Sequence, residues 1–163
     1  MEVTTARSKL TPTSERTREQ LVLAGERLFA QSGLDNVSLR QINNAAGQRN
    51  SSAAHYHFGS KEALIKAIHE YRGGRINERR HTRLARLSTQ EREQVRPLIE
   101  ALVYPIVAEI EETEGGGNFI MFLSQLYSNP ALDLMSMWRS HLSESVGAVY
   151  QQLRGVLPEI PEE

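Results

Sequence analysis

The stretch VSLRQINNAAGQRNSSAAHYHFGSKEAL, Val37 to Leu64, restricts this chain more than any other. Ser38 followed three residues later by Gln41 is a capping-box start, and Val37 and Ile42 flank it as a hydrophobic staple. Gly47 stops that helix, at a position where a left-handed turn is cheap for glycine. A helix of about eight residues is unstable alone and has to dock on neighbours. After the turn Gln48-Arg49-Asn50 the spacing predicts another short helix, from about Ser51 to His57, capped by Asn50 or Ser51. Gly59 breaks it, and Ser60 caps a further helix that opens with Lys61 and Glu62.

The helix after the turn is small and polar where a core helix is aliphatic. Only Ala53, Ala54, Tyr56 and Phe58 offer apolar surface. Helix, glycine turn, small-residue helix is the helix-turn-helix pattern, whose second helix enters the major groove of DNA. Small side chains allow a close backbone approach, and Arg49, Asn50, Ser51, Ser52 and His55 can donate to phosphates or read base edges. The DNA-facing set drawn from this stretch is Ser38, Arg40, Gln48, Arg49, Asn50, Ser51, Ser52, Ala53, His55, Tyr56, His57 and Lys61. The free N–H groups after Ser60, with Lys61 beside them, form a candidate phosphate site.

Charge is divided unevenly. Residues 1–90 hold 15 Lys+Arg against 8 Asp+Glu, and residues 91–163 hold 4 against 12, so balances of +7 and −8 give the net −1. A basic front half is the footprint of a phosphate-backbone binder, although clustered solvated charge reads the same way.

The rest of the chain is read as helical, and the fold class as all-α. Residues 1–13 read as a polar arm and 14–60 as the helix-turn-helix domain. Residues 61–87 read as a linker helix and 88–163 as a helical effector-binding and dimerisation domain. The first helix is expected from about Ser14 to Gln31, capped by a Thr17–Gln20 box or, for an earlier start, by Thr13 or Ser14. Leu21, Ala24, Leu28 and Phe29 form its apolar face. In the linker helix, Gly73-Gly74 predicts a kink or close packing, and Arg72 to Arg86 is either a phosphate-facing side or a solvated outer face. Ser88 to Gln94 reads as a loop or short turn. Val95 to Glu112 is helical, with Leu98, Leu102, Ile106 and Ile110 in line and Pro105 inside. Glu109 to Glu114 read as a solvated helix end, and Thr113 to Asn118 as a loop. Phe119 to Ser128 reads as an apolar helix, followed by one from Asn129-Pro130 to about Leu157. The buried stripe of that last helix is Leu134, Met137, Trp138, His141, Leu142, Val146, Val149 and Leu153.

Several classes fall away. There is no cysteine, hence no disulfide, thiolate metal site or cysteine nucleophile. The chain has no apolar run of the roughly 20 residues a membrane span needs, and its first residues lack a secretory h-region. A cytoplasmic location is expected. His55 and His57 are two apart, about 200° around a helix, and do not share a metal. No nucleophile elbow, phosphate loop, zinc-protease helix or dinucleotide fingerprint is present, so no enzyme activity, metal or cofactor is expected.

Three pieces together resemble the DNA-binding domain of TetR family bacterial transcriptional regulators. These are LFAQSGLDNVSLRQI, the AAG at Ala45 to Gly47, and YHFGSKEAL from Tyr56 to Leu64, within residues 16 to 76. The resemblance implies a homodimer, two recognition helices on a near-palindromic operator, and a C-terminal helical domain that binds an effector. It implies a repressor released by a small molecule. With Lys absent and Arg scarce beyond Arg96, an apolar or amphipathic effector fits, held by Tyr104, Phe119, Phe122, Tyr127, Met135 and Trp138. The same side chains also read as ordinary core. The rival is a helical DNA-binding or architectural module without effector control. Two features depart from the common pattern. Asn43 stands where alanine is usual, and QRNSSAAHYHF is one residue longer, which leaves Asn50, Ser51, Ser52 and Ala53 as alternatives for the base-facing positions. The ending LPEIPEE resembles the segment that precedes two further dimerisation helices, so either those helices are missing or the last helix, Pro130 to Leu157, forms the dimer.

Overall fold

Thr11 accepts a hydrogen bond from the backbone N–H of Ser14 at 3.3 Å, and Pro12 follows as the first helical residue. Helix α1 (Pro12–Ser32) therefore begins earlier than either Thr13 or Ser14 would set it. Proline at that position loses nothing, because the first N–H of a helix has no intrahelical acceptor. A computed structural model describes residues 11–129 and 143–157 of the chain. Over these it contains eight helices and no strand. The arm read at 1–13 lies outside the described residues up to position 10.

Helix α2 (Leu39–Ala45) has both halves of its capping box. The Ser38 hydroxyl accepts from Gln41 N–H at 3.3 Å, and the Gln41 carbonyl oxygen Oε1 accepts from Ser38 N–H at 2.8 Å. Val37 and Ile42, the two ends of the staple, are buried. Gly47 takes φ +66° and ends the helix, as its place predicts. Helix α3 (Ala53–Phe58) starts two residues later than expected and reaches Phe58. Helix α4 (Lys61–Arg86) starts on the Ser60 hydroxyl, which accepts from Ala63 N–H at 3.1 Å. It continues unbroken through Gly73-Gly74, and a Cβ added at Gly74 would meet nothing within 4 Å.

Ser88 and Glu91 form a second capping box, which turns the expected loop into a short helix, α5 (Thr89–Arg92). Helix α6 (Val95–Glu112) has the expected bounds, but its buried line is Leu98, Ala101, Pro105 and Glu109. Ile110 faces solvent. Small Ala101 shares a buried cluster with Leu84 of α4. Helix α7 (Gly116–Tyr127) begins inside the segment read as a loop, at Gly116, where a Cβ would stand 2.1 Å from the Glu109 carbonyl oxygen. Helix α8 (Ser143–Val156) buries Val149 and Leu153 of the expected stripe, while Val146 is half-buried. Leu134, Met137, Trp138, His141 and Leu142 lie outside the described residues.

One apolar core joins the front of the chain to α7. Leu21, Val22 and Phe29 of α1, Ile42 of α2, Ala54 of α3, and Leu64, Ile65 and Ile68 of α4 meet Phe119, Phe122 and Leu126 of α7. At roughly 25 cal/mol per Å² of buried apolar surface, such a cluster is the main stabilising contribution. A smaller cluster of Leu84, Leu98, Ala101, Val149 and Leu153 holds α4, α6 and α8 together. The core thus runs across the boundary read between the helix-turn-helix segment and the body.

Charge follows the same path. The basic run of α4 is neither phosphate-facing nor simply solvated. Arg72 is buried between Glu26 and Glu109. Arg75 pairs with Glu109 at 3.4 Å, Arg79 with Glu112 at 2.6 Å, and Arg83 with Glu100 at 3.2 Å. Buried Arg80 donates to Ser145 at 2.8 Å and Asn77 at 3.1 Å. Four arginines of the basic front half, Arg72, Arg75, Arg79 and Arg83, are therefore paired with carboxylates of the acidic back half. Glu109, read as solvated, is 1% exposed for that reason. No described helix is long and apolar enough to cross a membrane.

Candidate nucleic-acid interface

The candidate surface is built on α2, the turn and α3. The inner side of α3 is set by Ala53 and Ala54, both buried in the main core. Ala53, placed by sequence among the DNA-facing residues, is therefore an inward residue. The outer side carries Ser51, Ser52, His55 and Tyr56, all exposed, Tyr56 by 79%. Arg49 and Asn50 on the turn and Ser38 and Arg40 at the start of α2 are exposed as well. Of the four alternatives for base-facing positions, Asn50, Ser51 and Ser52 point outward and Ala53 does not.

The turn is tied internally. The Asn50 side-chain oxygen accepts from Ser52 N–H at 2.9 Å, and its carbonyl accepts from Ala53 N–H at 3.2 Å. Such an Asx turn is a local alternative to a helical cap. Gln48 is half-buried and donates to Gln20 of α1 at 3.0 Å and to the Ala46 carbonyl at 3.1 Å, which makes it part of the scaffold. Phe58 closes the underside of α3, with the Arg18 guanidinium 5.1 Å from its ring centre. His57 is half-buried beside them. Burial, with a smaller contribution from Arg18, holds its pKa below the usual histidine value.

Two sequence expectations change here. Lys61 does not stand free beside the start of α4. Its ammonium donates to the carbonyls of Leu34 at 2.8 Å and Val37 at 3.4 Å, which pins the α1–α2 connection. Two N–H groups at that helix start have partners in the chain too, since Ser60 accepts from Ala63 N–H and the Glu62 carboxylate is stabilised by its own backbone N–H and by Ser60. A carboxylate already at that position opposes a phosphate, and the site read there is occupied by the chain itself.

Sequence reasoning missed Asn43, which is buried in α2 and bonded to both Ser51 and Ala54. The one signal for it was an amide where the common pattern has alanine. Arg18 and Gln20 were missed because they lie far from the motif in sequence.

Of the residues read as an effector site, the four described ones, Tyr104, Phe119, Phe122 and Tyr127, are not gathered in one place. Phe119 and Phe122 are buried and stacked, with ring centres 6.1 Å apart, and Phe122 lies 6.3 Å from Phe29. Tyr104 is half exposed under Arg83, whose guanidinium is 4.4 Å from its ring centre. Tyr127 is half exposed, and Met135 and Trp138 lie outside the described residues. Tyr104 instead lines an open groove of about 720 Å³ between α4 and α6, with Arg79, Arg83, Arg86, Glu78 and Glu112. Among the described residues no group of three or more His, Asp or Glu is placed to hold a metal ion.

Residues 21–68 match the family model described as bacterial regulatory proteins, tetR family. No curated protein matches the chain significantly. Two crystal structures of NalD, the secondary repressor of the MexAB-OprM multidrug efflux pump in Pseudomonas aeruginosa, are similar to it at 22% identity. They cover 88% of this chain, with TM-scores of 0.47 and 0.46. The chain spans 66% and 65% of the length of those two structures.

Proposed function

We propose that this chain, which carries a TetR-family DNA-binding domain at residues 21–68, is a sequence-specific transcriptional regulator. It acts as a repressor that binds a near-palindromic operator as a homodimer and is released by a small effector. The observation that supports this reading is the outward face of α3. Ser51, Ser52, His55 and Tyr56 stand exposed beside Arg49 and Asn50, on a helix whose two alanines press against the core. Hydroxyl, amide, imidazole and guanidinium groups read base edges and phosphates, and among the described residues nothing covers them.

Selection of bound duplexes from a random pool tests this reading. The expected result is a two-fold symmetric sequence whose half-sites lie about one helical turn, roughly 10 base pairs, or a multiple of it apart. A bound pool with no enriched sequence would overturn it.

A second reading is DNA binding without effector control. The placement of Phe119 and Phe122 in the shared core, rather than around an opening, favours it. Titrating the operator complex with panels of apolar and polar small molecules separates the two. Release by an apolar or amphipathic compound supports the effector, and release only by polar compounds supports a ligand in the charged groove beside Tyr104. Absence of release by either panel supports the second reading.

A further inference from the structure

Asn43 sits in the last turn of α2 and is 1% exposed. Its backbone carbonyl accepts from Gln48 N–H at 3.0 Å, at the start of the turn. Its side-chain nitrogen Nδ2 donates to the carbonyl of Ser51. Its side-chain oxygen Oδ1 accepts from Ala54 N–H at 2.8 Å, inside α3. One residue therefore spans the whole turn, from where it leaves α2 to where α3 is under way.

The chemistry of those two side-chain bonds specifies an amide. The Ser51 carbonyl needs a donor and the Ala54 N–H needs an acceptor, so one end of the group faces each. An aspartate supplies only the acceptor, and an alanine supplies neither. The bond to Ala54 does the work of a helix cap from a residue 11 positions upstream. Ser52, which occupies the capping position, makes no side-chain capping bond. The hydroxyls of Ser51 and Ser52 are thus left on the outer face, unspent on the turn. Asn43 is also the residue that departs from the common alanine, and the turn it spans is the one that is a residue longer.

We propose that Asn43 is a positioning residue for DNA reading. It clamps the lengthened turn so that α3 sits at one rotation and depth, and it takes over the capping that would otherwise use a serine hydroxyl. This rests on the DNA-binding function proposed above.

The test uses the full chain with Asn43→Ala and Asn43→Asp. The probes are the duplex the wild type selects from a random pool and a scrambled duplex of equal length. In Asn43→Ala, affinity for the selected duplex is expected to fall about tenfold or more. Affinity for the scrambled duplex and its salt dependence should stay within about twofold. Asn43→Asp, which keeps the acceptor, should lose less selectivity. A residue that served only stability would lower binding to both duplexes together, in proportion to the folded fraction. That outcome overturns the proposal, as do unchanged selectivity in both variants and loss of fold in both. Amide exchange on the unbound protein gives a readout independent of DNA. The Ala54 amide should exchange faster in Asn43→Ala while the Leu64 amide keeps its protection, and unchanged Ala54 exchange also overturns the proposal. If the wild type selects no sequence, the proposed function fails by itself, and the Ala54 amide still decides whether the clamp exists.

Discussion

Arg72 grips Glu26 through two parallel hydrogen bonds, Nε to Oε2 at 2.9 Å and Nη2 to Oε1 at 3.0 Å, across the interface of α4 and α1. Its remaining N–H groups reach Glu109 Oε1 at 3.0 Å, Thr113 Oγ1 at 2.9 Å and the Glu114 carbonyl at 2.8 Å. All five donors of the guanidinium are used. Burial alone would lower the Arg72 pKa, but Glu26 and Glu109 outweigh it and hold the side chain charged. Burial also pushes the Glu26 carboxyl above its usual value, against the pull of Arg72.

Removing the cation leaves buried Glu26 without its ion pair and Glu109 with Arg75 alone, so Arg72→Met should cost about 3–5 kcal/mol in denaturant unfolding at neutral pH. The sign of the pH dependence follows from Glu26. A carboxyl raised in the folded state binds its proton more tightly there than in the unfolded chain. The deficit of the variant should therefore shrink as pH falls from 7 towards 4.5, the ordinary value of the group. A deficit independent of pH over that range would show that Glu26 is not the group left stranded.

Lys61→Ala should act on stability and leave the salt dependence of DNA binding unchanged. Two carbonyls of the α1–α2 connection, Leu34 and Val37, lose their donor. The expected cost is about 1–3 kcal/mol. A salt slope shallower by one phosphate contact, with stability intact, would return Lys61 to the DNA-facing set.

Arg49→Ala should do the opposite. Arg49 is exposed on the turn and makes no ion pair within the described chain. Its loss should leave thermal unfolding unchanged, lower affinity for all duplexes, and reduce the slope of log affinity against log salt by about 1.

His57 gives a pH prediction for binding. In the free protein its pKa lies below the usual histidine value of 6.5, through burial first and Arg18 second. The free domain therefore loses stability as pH falls below that value. A nearby phosphate favours the charged form, so DNA binding should take up a proton. Affinity should then rise as pH falls through the window below 6.5. His57→Gln should flatten that rise, as measured by fluorescence anisotropy of a labelled duplex across the window.

The parts of the motif that are local in sequence were legible. Ser38 with Gln41, Gly47, and Ser60 with Ala63 are fixed by interactions three or four residues long, and each falls where the sequence places it. The turn was less legible because its anchor is distant, since Asn43 reaches Ser51 and Ala54. The arginines of α4 misled for a different reason. A run of positive charge reads as solvated surface, yet Arg72, Ile76, Arg80 and Leu84 continue at a four-residue step the buried line of Leu64 and Ile68. The helical period carried that information, and the residue type hid it. Phe119 and Phe122 were legible as apolar, but no spacing says whether an aromatic faces another helix or an open space.

Gly116 leaves no room for even a methyl group against the Glu109 carbonyl. Glu109 holds Arg72, and three residues beyond Gly116 stands Phe119, whose ring is buried in the core shared with α1. A small wedge at this junction would be felt at both ends. It would tilt α7 away from α6, loosen the grip on Arg72 and relax the seat of α1, with no contact on the DNA-facing surface altered directly. Substitutions that silence the protein can therefore be sought at a site far from anything it touches, and screening for them would trace how the two halves constrain each other.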